Sequence, residues 1–93
     1  MIIIAGHGLV KAERRDDHVA AFRDLVSRAR DFDGCLHFAM TADSVDPERF
    51  NLIEVWRDGD VLDAWRKTAR APRRTKPTFM DVRQYEAADG VRL

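Results

Sequence analysis

The sequence predicts an α+β domain: one four-stranded antiparallel sheet, with elements in the order strand, helix, strand, strand, helix, strand. Three observations predict it. Short runs that are apolar at both alternating sets of positions, Ile2 to Val10 and Phe50 to Trp56, read as buried strands. Two stretches with apolar residues at three- and four-residue spacing, Glu13 to about Phe32 and a second opening at Asp58, read as amphipathic helices. Asp43-Ser44-Val45-Asp46-Pro47-Glu48 is a turn between apolar runs and makes the middle pair of strands a hairpin.

The first strand has Ile3, Ala5, His7 and Leu9 on one face and Ile2, Ile4, Gly6, Gly8 and Val10 on the other. In the first helix Val19, Phe22, Leu25, Val26 and Ala29 form one apolar stripe. Glu13, Asp16 and Asp17 lie in its early turns, where acidic groups suit the helix dipole, and His18 is expected on its surface. Asp33-Gly34 ends it, with Gly34 a left-handed cap. Cys35 to Thr41 is the second strand, with Leu36, Phe38 and Met40 on one face and Cys35, His37 and Ala39 on the other. Pairing about the turn sets Phe38 near Glu54 and His37 near Val55. In the third strand Phe50, Leu52 and Trp56 face one way and Ile53 and Val55 the other. Asp58-Gly59-Asp60 caps a helix with Val61, Leu62, Trp65 and Ala69 on its apolar side, ended before Pro72. A basic connector, Ala71 to Pro77, leads to a fourth strand, Thr78 to Glu86, and a tail, Ala87 to Leu93. This order is the ferredoxin-like βαββαβ arrangement, with both helices on one face of the sheet.

At 93 residues this is a single domain, residues 1–93, with its core within about 2–86. A chain this short covers one sheet face with its own helices and has little left for the other. A third strand apolar on both faces therefore implies a partner, most simply a second copy. Sixteen basic and sixteen acidic residues cancel, so net charge favours neither nucleic acid nor a membrane surface. A lone cysteine, Cys35, permits no internal disulfide. The Met1-Ile2-Ile3-Ile4 start lacks a basic n-region, and no apolar run approaches the ~20 residues needed to span a bilayer. A cytoplasmic location is the expectation.

Gly34-Cys35-Leu36, Asp46-Pro47-Glu48-Arg49-Phe50, Glu54-Val55-Trp56 and Leu62-Asp63-Ala64-Trp65 together resemble the antibiotic biosynthesis monooxygenase (ABM) family, over nearly the whole chain from Ile2 to about Glu86. The resemblance implies a dimeric α+β barrel, two ferredoxin-like sheets packed face to face. It does not imply a single activity. Some members oxygenate aromatic polyketides with molecular oxygen and no metal, flavin or haem; others degrade haem, or act on quinols or small signalling molecules. The haem-degrading branch carries an axial histidine about ten residues after its helix tryptophan. Here that region is Arg70-Ala71-Pro72-Arg73-Arg74-Thr75-Lys76, without histidine, which argues against haem. It also lacks a tyrosine found near the pocket of some polyketide-oxidising members.

Four residues are candidates for the site. His7 lies where haem-degrading relatives place a polar residue facing the pocket. With an ordinary pKa near 6.5 it is the first choice for a base toward a phenol; the alternative is a histidine satisfied at a sheet end or dimer seam. His37 is the second choice of base. Asn51, on the same inferred face, is a polar anchor for substrate, unless the two only hold the hairpin together. Trp65 offers a ring to stack on a flat substrate, or simply fills the core. Glu54 and Trp56 read as structural, Glu54 paired with an arginine such as Arg83. Arg66, Lys67, Arg70, Arg73, Arg74 and Lys76 form a basic patch that either draws an anionic substrate to a pocket mouth or is a solvated face. RNA-recognition modules share the fold, but Arg49 to Trp56 lacks their glycine-rich aromatic strand motif. The histidines His7, His18 and His37 show no metal-ligand spacing, and Cys35 is a small buried residue rather than a nucleophile.

Two classes of function follow. One is a homodimeric, cofactor-independent monooxygenase that oxidises a small aromatic phenol or quinol with molecular oxygen. The other is a non-catalytic dimeric ligand-binding or stress-associated module of the same fold.

Overall fold

The computed structural model describes all residues, Met1–Leu93. Its elements are β1 (Ile2–Leu9), α1 (Ala12–Ala21), α2 (Arg23–Arg30), β2 (Cys35–Ala42), β3 (Arg49–Trp56), α3 (Gly59–Thr68) and β4 (Phe79–Glu86). The four strands form one sheet in the order β2-β3-β1-β4, antiparallel at every pairing, which is the ferredoxin-like topology.

Cross-strand partners share a face, so the register sorts the sheet into two surfaces. Ile2, Ile4, Gly6 and Gly8 of β1 lie opposite Trp56, Glu54, Leu52 and Phe50 of β3, and Phe38 and Met40 of β2 continue the same face. The helices cover this face. Ile2, Ile4, Phe38 and Trp56 join Leu25 and Ala29 of α2 and Val61, Leu62 and Trp65 of α3 in one buried core. The other face carries Ile3, Ala5, His7 and Leu9 against Val55, Ile53, Asn51 and Arg49. No helix covers it, and Ile53, Phe79 and Tyr85 there remain 45–49% exposed.

Trp56 is fully buried at the centre of the core. It stacks on Trp65 at 5.8 Å between centroids and meets Phe32 and Phe38 edge-on at 6.4 and 6.2 Å. Those offset and edge contacts suit the ring quadrupoles. Its Nε1–H donates to Glu54 Oε1 at 3.0 Å, two residues along β3 on the same face.

The hairpin pairs as the turn predicts, with Phe38 opposite Glu54 and His37 opposite Val55. One irregularity lies between Cys35 and His37, where Cys35 pairs with Trp56 and Leu36 is the extra residue. The expected faces at the start of β2 are therefore exchanged: Cys35 packs on the core and Leu36 is 50% exposed. The turn itself is fastened from α1. Arg15 Nη1 lies 3.0–3.2 Å from the carbonyl oxygens of Asp43, Asp46 and Arg49.

The expected first helix is divided at Phe22. Its N–H bonds back to Val19 O at 3.1 Å, an i→i−3 contact that tightens the turn without proline or glycine. Gly34 adopts φ 93°, as the cap requires, with Val61 methyls filling the space where a Cβ would lie. Asp58 caps α3, its Oδ1 accepting from Val61 N–H at 2.9 Å. No helix is long and apolar enough to cross a membrane.

The glycines of β1 mark close contact rather than open space. A Cβ on Gly6 would run into Asp81 O and lie 2.7 Å from Val82 Cα. One on Gly8 would strike the Phe50 ring and lie 2.6 Å from Met80 Sδ. Gly6→Ala should therefore force β1 and β4 apart and cost about 1–3 kcal/mol, as overpacking does. Denaturant melts of the two proteins check this; equal midpoints would show that the strands yield freely.

Candidate active site

A cavity of about 370 Å³ opens between the helices and the covered face of the sheet. That lies near the lower end of the ~300–1,000 Å³ range of small-molecule sites. Ile4, Leu52, Phe38, Met40 and Val82 of the sheet form its floor. Phe22 and Leu25 close one side; Trp65, Ala69 and Ala71, from α3 and the segment after it, close the other. Ten of the twelve lining residues are hydrophobic, and the two that are not, Glu54 and Arg66, carry opposite charges.

Glu54 is the polar feature of this cavity. β3 alternation places it with Leu52 and Trp56 on the covered face, and the Trp56 indole ties up Oε1. No buried side-chain oxygen or nitrogen lacks a hydrogen-bond partner, yet Oε2 makes no bond within the protein. Oε2 is thus the oxygen that reaches accessible space. Burial pushes the Glu54 pKa up from its ordinary value, against the opposing pull of the Trp56 N–H and the positive charge of Arg66. The pairing expected with Arg83 does not form. Arg83 lies on the opposite face and bonds Asp81 at 3.0 Å, because β4 alternation turns it away from Glu54.

Of the four sequence candidates, Trp65 alone lines this cavity. It is also a core residue, 5% exposed and stacked on Trp56. His7 and Asn51 are register partners on the face away from the helices, with Asp81 on the other side of His7. The His7 ring lies 5.7 Å from that of Phe79. His37 shares their face but sits opposite Val55, near the far end of β3, where it lines a second cavity of about 450 Å³ with Leu36, Ile53 and Val55. Within one chain, His7, Asn51 and His37 therefore do not converge with Trp65. The Asn51 side chain is engaged at both ends: Oδ1 accepts from Arg49 Nε and Nδ2 donates to Asp43 Oδ1, each at 2.8 Å. Asp43 also accepts from the N–H groups of Asp46 and Val45. These bonds, the Asp46 N–H first, hold its pKa at about 2.

The sequence marks Arg66 only as one of a basic patch and Glu54 only as structural, although a carboxylate amid apolar strand positions was the available signal for a residue lining this cavity. His18 also departs from expectation. It is 2% exposed, its ring 4.5 Å from that of Phe50 and 5.4 Å from that of Phe22. Its spacing to Phe22, Leu25 and Ala29 puts it on the inward stripe of the helix, and Nδ1 meets Thr75 O at 3.1 Å. That contact ties down the segment carrying Ala71, beside Arg74, whose guanidinium covers Phe22 at 5.3 Å. Cys35 is a half-buried thiol; burial, then the negative charge of Glu54, raises its pKa and disfavours the thiolate.

With this geometry in view, the comparisons with known proteins agree on a class. The fold is that of small ferredoxin-like α+β proteins. The antibiotic biosynthesis monooxygenase family model matches residues 1–74, and the chain belongs to that family. A crystal structure of an antibiotic biosynthesis monooxygenase is 26% identical, with a TM-score of 0.70, covering 96% of this chain and 100% of that one. Proteins named for the same family from Deinococcus radiodurans (20% identity, TM-score 0.71, 100% and 98% coverage) and Nitrosomonas europaea (19%, 0.76, 94% and 98%) share the fold. An uncharacterised protein of Synechocystis is 27% identical over 62 residues, which span 67% of this chain and 42% of that longer protein.

Burial of His18, then the charge of Arg74, lowers its pKa below 6.5, with the Thr75 carbonyl opposing. The unfolded chain accordingly binds a proton that the folded chain resists. Stability is fully present above pH 6.5 and is lost as pH falls from there through the folded value. Urea midpoints should drop between pH 7.5 and pH 5, and by less in His18→Gln. The same drop in both proteins would assign the effect to other groups.

Proposed function

We propose that the protein is a cofactor-independent monooxygenase that oxidises a small phenol or quinol with molecular oxygen, and that the helix-side cavity holds the substrate. The supporting observation is this apolar chamber, with a single carboxylate on its floor, in a member of this family. For a hydroquinone the reaction balances without an outside reductant. The substrate gives four electrons to one dioxygen; one oxygen atom is inserted at a ring C–H, and the ring ends at the quinone level. The second oxygen atom leaves as water with two substrate hydrogens. The chain supplies a dry, oriented site, with Trp65 as a wall and the carboxylate as proton acceptor.

In this reading the uncovered sheet face receives a second copy. Ile53 stands between Ala5 and Ala39 at its centre, a ridge flanked by small side chains. His7, Asn51 and His37 then belong to the dimer contact, and His7 and His37 affect turnover only through it. The second reading, a non-catalytic ligand-binding dimer, draws support from the absence of all three histidines from the cavity lining.

Oxygen uptake across a panel of hydroquinones and polyphenols tests the proposal. At least one should consume oxygen in 1:1 ratio to substrate, and Ala71→Trp, which fills the cavity from its loop wall, should reduce kcat/KM at least ~10-fold. His7→Ala should keep most of the activity. Ligand binding without oxygen uptake would establish the second reading. Light scattering should give twice the chain mass, and Ile53→Arg should shift it toward the monomer; a monomeric wild type would refute the dimer.

A further inference from the structure

We infer that the cavity is selective for a hydroxyaryl compound bearing an acidic group, with the hydroxyl on Glu54 Oε2 and the acid facing Arg66. The inference rests on the substrate cavity proposed above and specifies its ligand. Three observations lead to it.

The first is the division of labour within one carboxylate. Trp56 Nε1–H holds Oε1 at 3.0 Å, and that indole is itself fixed by the rings around it, so the carboxylate has little freedom to turn. Oε2 is left accessible and without a protein donor, on a residue that lines the cavity. An ionised carboxylate oxygen is an acceptor only, so it selects a donor. A ligand O–H fits it; an ether or a bare ring edge does not. The apolar floor has no second acceptor side chain to compete for that hydrogen.

The second is shape. Phe22, Phe38 and Trp65 supply aromatic walls around an apolar floor, the surroundings that favour a flat ring over a sugar or an aliphatic polyol. The third is Arg66. It lies exposed on α3, and it is the single cation lining the cavity. A carboxylate or similar acid on the ligand meets it at the solvent side and keeps most of its hydration. The charges of Glu54 and Arg66 thus impose one orientation, hydroxyl inward and acid outward. If the hydroxyl ionises during turnover, its O–H bond breaks and the proton passes to Oε2, leaving a phenolate and a neutral carboxylic acid.

Tryptophan fluorescence reports the test, since Trp65 lines the cavity and Trp56 stacks on it. Four probes are titrated: 4-hydroxybenzoate, 4-methoxybenzoate, benzoate and phenol. In the wild type, 4-hydroxybenzoate should bind at least ~10-fold more tightly than its methyl ether or benzoate, the order expected for a hydrogen bond to a charged acceptor. Glu54→Gln should remove that preference and leave benzoate unchanged, because the amide carbonyl of the replacement side chain still accepts from Trp56. Arg66→Ala should weaken all three acids and spare phenol. Should Glu54→Gln fail to fold, the hydroxy-to-methoxy ratio in the wild type decides alone. Equal binding of all four probes would overturn the assignment of Glu54 and Arg66 while leaving the cavity as a binding site. No quenching by any probe would overturn the inference together with the cavity reading, whereas oxygen uptake on neutral quinols alone would overturn only the role of Arg66.

Discussion

One hydrogen bond within a single strand carries much of this structure: Trp56 Nε1–H to Glu54 Oε1. Each partner alone would be a liability, an indole N–H and a carboxylate on the buried face of a sheet. Leaving either unpaired would cost about 1–3 kcal/mol, more for the charge. Paired, they satisfy each other over a two-residue step that strand geometry supplies without any loop or helix. With the N–H accounted for, the tryptophan can be fully buried, and Phe32, Phe38 and Trp65 gather on it. The core and the cavity therefore share a foundation. The tryptophan that packs the one orients the carboxylate that furnishes the other.

Period-two and period-3.6 patterns fix which residues form strands and helices, and here they were enough for the topology and even the hairpin register. Turn chemistry and capping were equally plain at Gly34 and Asp58, where φ above zero and an N-terminal carboxylate leave few alternatives. Three features were not legible. The tightening at Phe22 involves no helix breaker, so composition gives no warning of it. The extra residue at Leu36 moves Cys35 to the core face, and a period-two pattern cannot register a single inserted position. His18 satisfies its ring nitrogen on a carbonyl distant in sequence, a partner visible only after folding.

The site was less legible than the fold for a related reason. His7, His37 and Asn51 are attractive by chemical type, and alternation correctly groups them on one face. Chemical type does not reveal that the helices, and with them the cavity lined by Trp65, lie on the other face. Glu54 was visible as an oddity, but only the folded chain shows that one of its oxygens is bonded to Trp56 and the other is free. The two faces differ in how they are covered. The covered face packs a core beside a cavity, and the uncovered face leaves Ile53, Phe79 and Tyr85 half exposed.

The wall of the cavity beyond α3 is made by a segment with no place in the sheet or helices. It is anchored at the Thr75 carbonyl by His18 and at Thr78, whose N–H bonds Leu9 O at 2.8 Å. Ala69 and Ala71, just before those anchors, are the part that borders the ligand space. The strand pairings and this stretch of the cavity wall are consequently written in different parts of the chain. A lineage can alter side chains between residues 70 and 73, and so reshape this wall of the cavity, without touching a strand pairing or the residues packed on the tryptophan core. In a family with one architecture and many chemistries, a segment placed like this is where descendants of a common scaffold can diverge at the least risk to their fold.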